Sequence, residues 1–416
     1  MKLLYIADGR SPIALNWISY FIRTGYEVHL ASTFPCPQID GLASLILIPV
    51  AMSGLYGQSE IRSGNRGRML RKIVPVALRT RIRQWVAPIS FSRAAHALRD
   101  VNERIQPDLI HAMRIPYEGM IASIALRRST GAGASIKNPP LLISVWGNDF
   151  TLHARSTSSM DHYTRATLLD CNALHTDCQR DLDLATEFGF ASTKPGIVLP
   201  GGGGIKLDVF YPNEKLNKDG GNQLLVDELP MTIINPRGFR AYVRNDTFFH
   251  AIPSVLRKYP EVRFICPGMV GEAQAQKWIL ELGIGDQVEL LPVQSQREMA
   301  NLFRRSHISL SITTHDGTPN TLLEAMASGC FPIAGDIQSI REWISHGVNG
   351  LLVNPNDPNA LAMAIQKVIS QPEMRRQARE RNLHMVKDRA EYGKTMQSAE
   401  GFYNLVIERN RDLVSL

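Results

Sequence analysis

The chain has little that would carry metal or disulfide chemistry. Five cysteines in 416 residues are an odd number without a C-x-x-C pair, and only Cys171 and Cys178 are near neighbours. A disulfide framework and a cysteine zinc site are therefore not expected, and the thiols read as buried groups in a reducing compartment. The first apolar run leads into Asp8-Gly9-Arg10-Ser11-Pro12 and not into G-x-G-x-x-G, so the dinucleotide fingerprint is missing. The opening residues, MKLLYIADGR, read as a first buried strand and not as a signal peptide, because Asp8 breaks the apolar run early. Gly41 to Ser59 carries no charge, but Pro49, Gly54 and Gly57 interrupt it. Its dense apolar part is only about ten residues, against the ~20 that a membrane span needs. A cytoplasmic protein is expected.

Acid is absent from Ile61 to Arg99, where nine arginines and one lysine stand. That segment alone exceeds the net charge of +7. Within 62–86, Arg62, Arg66, Arg68, Arg71, Lys72, Arg79, Arg81 and Arg83 surround Leu70, Val74, Leu78, Ile82, Trp85 and Val86. The apolar set recurs at four-residue spacing, which predicts a basic amphipathic helix from Pro75. The partner expected for it is an anionic membrane surface on the inner face of the plasma membrane. A solvated arm and a site for a phosphorylated acceptor are the alternatives, and no nucleic-acid partner is expected.

What is there is a soluble globular composition, 44% hydrophobic and 20% charged, with length for two domains. Short apolar runs alternate with helical patterns throughout. Strands are expected at Lys2–Ala7, Glu27–Ser32, Ser44–Val50, Leu109–Met113, Leu141–Trp146, Ala173–Thr176 and Gly196–Leu199. In the second half they are expected at Thr232–Asn235, Arg263–Cys266, Val288–Leu291, Ile308–Ile312, Phe331–Ala334 and Leu351–Val353. Consecutive apolar positions suit parallel strands covered on both faces, and strand–helix alternation implies an α/β fold with doubly wound parallel sheets. There are too many strands for one such sheet, so two Rossmann-like domains are expected. The boundary falls near Pro200-Gly201-Gly202-Gly203-Gly204, giving domains over 1–203 and 204–391, followed by a C-terminal helix over 392–416.

The most informative stretch is Ser311 to Asp336, SITTHDGTPNTLLEAMASGCFPIAGD. It reads as strand, polar loop, apolar helix and strand. Thr318 is placed to cap a helix starting at Pro319. The amides of Asn320, Thr321 and Leu322 would then be free to hold an anion. Glu324 lies about a turn deeper among Leu and Ala, and a buried carboxylate needs a partner, for which a sugar diol is well suited. Thr321-Leu322-Leu323-Glu324 also fits a capping box, and the segment alone leaves both readings open.

An acid at Asp316, seven residues, then Glu324 followed by Ala-Met-Ala-Ser-Gly resembles the E-x7-E motif of the retaining family 4 glycosyltransferases, with Asp in the first position. Ser339-Ile340-Arg341-Glu342 and Val348-Asn349-Gly350-Leu351-Leu352-Val353 resemble the same family. The resemblance implies the GT-B fold, two Rossmann-like domains facing across a cleft, with the C-terminal helix packing back on the first domain. It implies that Asp316 contacts the donor sugar, Glu324 the nucleotide ribose, and the loop over Thr318, Pro319, Asn320 and Thr321 the sugar and diphosphate. The family carries an Arg and a Lys on the diphosphate. Arg237, at a strand end where arginine can fork onto phosphate, matches the first, and Arg244 matches the second as Arg for Lys.

In the first half, Trp146-Gly147-Asn148-Asp149 is a strand end running into a polar turn. It resembles the W-G-x-D variant of bacterial members that build surface polysaccharides, and lacks the histidine many members place at Trp146. Asp149 is expected to contact acceptor or donor sugar, with Trp146, Asn148 and His111 on the acceptor side. An Asn-Asp turn capping the next helix is the alternative for Asp149, and a structural histidine the alternative for His111. Asp181-Leu182-Asp183 lies in a helical pattern where its two acids diverge, so no metal and no other cofactor is expected. The expected activity is transfer of a sugar from a nucleotide-diphosphate donor to a glycan or lipid-linked acceptor in cell-surface polysaccharide synthesis. A nucleotide-sugar 2-epimerase of the same fold, or a non-catalytic sugar-binding protein with a relic donor site, are the alternatives.

Overall fold

The computed structural model describes residues 1–50, 76–127, 138–213 and 230–415, and the side chains of the basic stretch 62–86 lie outside the described residues. Most of the polar loop expected after Asn213 lies outside them as well. The chain divides into two compact units, residues 1–203 with 396–416, and residues 204–395.

The first unit is built on seven parallel strands: β1 (Lys2–Ala7), β2 (Glu27–Ser32), β3 (Ser44–Leu47), β4 (Leu109–Ala112), β5 (Leu141–Val145), β6 (Ala173–Thr176) and β7 (Gly196–Val198). Their order is β3-β2-β1-β4-β5-β6-β7. Leu3 sits opposite both Val28 and Leu109, so the central strands are in register. β4, β5 and β6 are buried at every position, as consecutive apolar residues require of a sheet covered on both faces. One face packs on Phe91, Leu98, Met120 and Phe188. On the other, Trp17 and Phe21 of the helix Pro12–Arg23 meet Tyr403 of the C-terminal helix Tyr392–Ser415. The Tyr403 hydroxyl shares hydrogen bonds with that of Tyr5 at 2.9 Å and with His111 Nδ1 at 2.5 Å. Two π-helical turns follow β4 and β5, at Ile115–Gly119 and Asp149–Ala154, and strand–helix alternation gives no sign of either.

The second unit carries β8 (Thr232–Ile234), β9 (Arg263–Pro267), β10 (Val288–Leu291), β11 (Ile308–Ser311), β12 (Phe331–Gly335) and β13 (Leu351–Val353), all parallel, in the order β10-β9-β8-β11-β12-β13. Phe248, Phe264, Ile308 and Ile365 centre one side of the sheet, and Phe303, Leu323, Met326 and Trp343 the other. Helix starts follow local chemistry. Ser295 and Glu298 form a capping box, and Asp357 accepts from the amides of Asn359 and Ala360 ahead of a helix beginning at Pro358.

The glycine run has a packing reason at its last member. Gly204 has φ +93°, and a Cβ there would lie 2.7 Å from the Ala390 carbonyl and 3.0 Å from Tyr392 Cα. Only glycine lets Ile205 pair with Glu391 beside it. Among the described residues no helix is long and apolar enough to cross a membrane.

Candidate functional site

In a doubly wound sheet, ligands gather at the carboxyl ends of strands where the strand order reverses. In the second unit that point lies between β8 and β11. The loops leaving these strands are tied to each other. The Arg244 amide donates to the Ile312 carbonyl at 2.9 Å, and the Thr314 amide to the Tyr242 carbonyl at 3.0 Å. Asn245 is buried and shapes the first loop, accepting from Asn235 Nδ2 at 3.0 Å and donating to the Gly238 carbonyl at 2.8 Å.

These ties bring Arg237 and Asp316 together. Arg237 Nη2 donates to the Asp316 carboxylate and Nη1 to Thr321 Oγ1 at 3.2 Å. The pair is mostly buried, its side chains 8% and 15% exposed. Arg237 Nε is sealed with no hydrogen-bond partner. Arg244, by contrast, forks onto Asp246 at 2.8 and 2.6 Å, so both charges of that pair are engaged within one helical turn.

The helix that follows β11 differs at its start from the sequence reading. It runs Asn320–Ala327 with Pro319 as N-cap and no side-chain cap. Thr318 does not cap it, because its Oγ1 accepts from Trp343 Nε1 at 2.9 Å. Leu322 is not free either, its amide donating to the Pro319 carbonyl at 3.0 Å. The amides of Asn320 and Thr321 make no backbone hydrogen bond among the described residues. Glu324 is the fifth helical residue, so the capping-box geometry is absent. Part of its side chain reaches the surface, and the carboxylate makes no hydrogen bond or ion pair among the described residues. Burial nevertheless pushes its pKa up from 4.5 to about 7, with the Arg237 cation opposing the rise.

Two residues beyond the expected set support the loop. Ser339 Oγ donates to the Asp316 carbonyl at 2.6 Å, in place of capping the short turn Ile340–Glu342. Trp343 holds Thr318 and is itself covered by the Arg389 guanidinium at 4.2 Å. For Trp343 the signal available was only its place beside Ser339-Ile340-Arg341-Glu342, since Thr318 lies 25 positions off in sequence.

The residues expected around the first sheet are placed differently from that reading. Asp149 is fully buried and accepts from Arg114 Nε at 2.8 Å and from the Trp146 amide at 3.0 Å. Burial pushes its pKa up against the lowering pull of Arg114. With one hydrogen bond on each oxygen it closes a turn, as in the alternative reading of Trp146-Gly147-Asn148-Asp149. Asn148 Oδ1 takes the other end of Arg114 at 3.0 Å. Trp146 is half-buried with its indole Nε1 sealed, so the polar edge is turned away from solvent. His111 is structural, lying in a buried chain from Tyr403 through Ser144 Oγ at 2.7 Å to His175 at 2.8 Å. Burial lowers the pKa of both histidines, that of His175 to about 4, which keeps the chain neutral. Arg114, the residue that decides Asp149, carried no signal in the sequence.

One group among the described residues has the spacing of cation ligands. Asp177, Cys178 and Asp181 offer atoms within 4.8 Å of one another. Arg180 already donates to Asp181 at 3.0 and 2.7 Å, and burial pushes the Cys178 thiol far up, so the trio is balanced by a guanidinium. Asp183 is exposed while Asp181 is buried, so the two acids do not converge.

Two family models match the chain. The family model for glycosyl transferases group 1 matches residues 222–385. The chain carries a glycosyl transferases group 1 domain. The glycosyl transferase 4-like model matches residues 2–177, so each Rossmann-like unit has a glycosyltransferase counterpart. Among curated relatives, a D-inositol 3-phosphate glycosyltransferase of Thermobispora bispora is 30% identical over 180 residues, 41% of this chain and 42% of the relative. A GDP-mannose:cellobiosyl-diphosphopolyprenol alpha-mannosyltransferase of Xanthomonas campestris is 28% identical over 123 residues, 29% of this chain and 32% of the relative. The matched regions span less than half the length of these curated relatives. Among solved structures, sucrose-phosphate synthase from Thermosynechococcus elongatus has a TM-score of 0.71 at 14% identity, covering 98% of this chain and 100% of that one. HepE from Anabaena in complex with UDP has a TM-score of 0.67 at 14% identity, covering 97% and 100%. The shared fold is GT-B, two parallel-sheet Rossmann-like domains in one chain.

Proposed function

We propose that this chain is a retaining glycosyltransferase that moves a sugar from a nucleotide-diphosphate donor to a glycan or lipid-linked acceptor in cell-surface polysaccharide synthesis. The observation that carries this reading is the convergence at one strand-order reversal of a cation, two acids and an open helix start. In this reading Arg237, held beside the helix start by Thr321, and the amides of Asn320 and Thr321 bind the diphosphate. As the glycosidic bond breaks, negative charge grows on the leaving diphosphate, and fixed donors of this kind stabilise it. Asp316 receives hydroxyls of the donor sugar, and Glu324, whose carboxylate makes no hydrogen bond or ion pair among the described residues, receives the ribose diol. Arg244 reaches phosphate by exchanging Asp246 for it. These groups meet the diphosphate charge without a metal ion.

The first unit supplies the acceptor side, with Asp149 as a turn-closing residue there. A curated relative whose name includes a diphosphopolyprenol supports the lipid-linked class of acceptor. The basic stretch 62–86 would hold the chain against an anionic cytoplasmic membrane face, near such an acceptor. A panel of nucleoside diphosphates and their sugars, read by thermal shift, tests the donor reading. At least one should raise the melting temperature of the wild type and not that of Arg237→Gln. A panel without any response would refute it.

A further inference from the structure

The Arg237–Asp316 ion pair joins the two residues that the proposed donor site assigns to different parts of one ligand, phosphate to the arginine and sugar to the acid. A guanidinium has five N–H donors, and here each nitrogen has a defined position. Nε is sealed, Nη1 is on Thr321, and Nη2 is on Asp316. A phosphate oxygen can take only the Nη groups, each of which has one of its two N–H groups engaged, and the stronger of these two contacts is the charge-assisted one to Asp316. Neither partner can swing away on its backbone. Ser339 holds the Asp316 carbonyl at 2.6 Å, and Asn235 and Asn245 hold the turn that presents Arg237. The contest for Nη2 is therefore decided by the two side chains.

We infer that Asp316 competes with the nucleotide's diphosphate for Arg237, so that the site favours a sugar-bearing donor over the sugar-free nucleotide left after transfer. This rests on the donor-site reading above. Sugar hydroxyls satisfy the Asp316 carboxylate and release Arg237 to the phosphates. A nucleoside diphosphate brings no hydroxyl to Asp316, and Arg237 returns to it. Occupancy of the two positions is thus coupled, and the coupling acts equally in both directions. Asp316 is a specificity-determining residue in this scheme, and its pairing with Arg237 assists release of the nucleotide product.

Calorimetric binding of UDP, GDP and ADP, and of the sugar donor matching whichever binds, tests this on wild type, Asp316→Asn, Arg237→Gln and the double variant. Asp316→Asn should bind the nucleoside diphosphate at least about threefold tighter, the scale of losing one partly screened ion pair. It should bind the sugar donor no tighter, and the gain for the diphosphate should vanish in the Arg237→Gln background. An unchanged or weaker diphosphate affinity in Asp316→Asn overturns the inference alone. A gain that persists with Arg237→Gln also overturns it, since plain charge repulsion by Asp316 would then suffice. Asp316→Ser removes the same charge with less bulk and must show the same gain if Asp316→Asn folds poorly. No nucleoside diphosphate binding by wild type overturns the donor-site reading, and this inference with it.

Discussion

Glu324→Gln should raise the melting temperature and lower nucleotide affinity in the same protein. The carboxylate has no hydrogen-bond or ion-pair partner among the described residues, and burial lifts its pKa from 4.5 to about 7. A shift of that size is about 3 kcal/mol at 1.36 kcal/mol per unit. Because part of the side chain reaches solvent, about 1–2 kcal/mol is the fairer figure for the cost of the charge. Glutamine keeps the shape and removes the charge, so the second unit should melt roughly 2–6 °C higher near pH 8. The folded pKa lies above the unfolded one, so the protonated acid favours the folded state. Stability attributable to Glu324 is full below pH 4.5 and is lost as pH rises toward 7 and beyond. The gap between variant and wild type should therefore close toward pH 5. Binding runs the other way. A ribose diol donates to the ionised carboxylate, and losing a charge-assisted hydrogen bond of ~1.5–3 kcal/mol should weaken nucleotide binding at least about tenfold. Wild-type affinity should rise with pH through about 7, and the variant's should not. Scanning calorimetry and isothermal titration at pH 5, 6.5 and 8 measure both quantities. A lower melting temperature with unchanged affinity would refute the assignment and make Glu324 an ordinary helix residue.

Asp149→Asn leaves the Arg114 cation without its carboxylate, and a broken buried pair costs about 3–5 kcal/mol. With Arg114 29% exposed, a loss of at least about 2 kcal/mol is expected. Nucleotide affinity should stay at its wild-type value, and a fall in affinity at unchanged stability would restore Asp149 to the site. Donor turnover should survive excess chelator. Activity that disappears with chelator and returns with magnesium or manganese would show that Arg237 and the helix amides do not suffice for the diphosphate. The basic stretch 62–86 should bind anionic vesicles over neutral ones, at ~1 kcal/mol per basic residue near the surface. Equal binding to both, or to neither, removes the membrane role.

Consecutive apolar residues mark buried parallel strands well, because a strand covered on both faces has no polar alternation to confuse the pattern. Every strand but β3, which ends three residues before Val50, could be placed to within a residue or two on that ground. The pairing of Arg237 with Asp316 is another matter. The two lie 79 positions apart, and strand–helix alternation puts both at strand ends without saying that β8 and β11 are neighbours. Thr318 ahead of Pro319 has the local chemistry of a cap, but the Trp343 indole, 25 positions on, takes the hydroxyl first. A similar long-range partner decides Asp149. A polar turn after a buried strand looks like a site, until Arg114, 35 positions earlier, seals it. Local rules fail at these places because a distant donor outbids the near one.

The two strand-order reversals of this chain are furnished in opposite ways. At the first, between β1 and β4, the polar groups are paired with one another. Thr33 donates to the buried Glu118 at 2.6 Å, and Tyr117 beside it is held at φ 74°, a strained value that surrounding packing must enforce. At the second, one carboxylate is kept in a costly state with no hydrogen bond among the described residues to relieve it, under the influence of an arginine committed to another acid. Glutamine at 324 would remove that cost without disturbing the helix, and a site shaped for stability alone would have no use for the acid. An unrelieved carboxylate beside an open helix start is instead what a ligand rich in hydroxyls and phosphate would relieve. The stability given up at Glu324 and the affinity expected there are thus two sides of one charge.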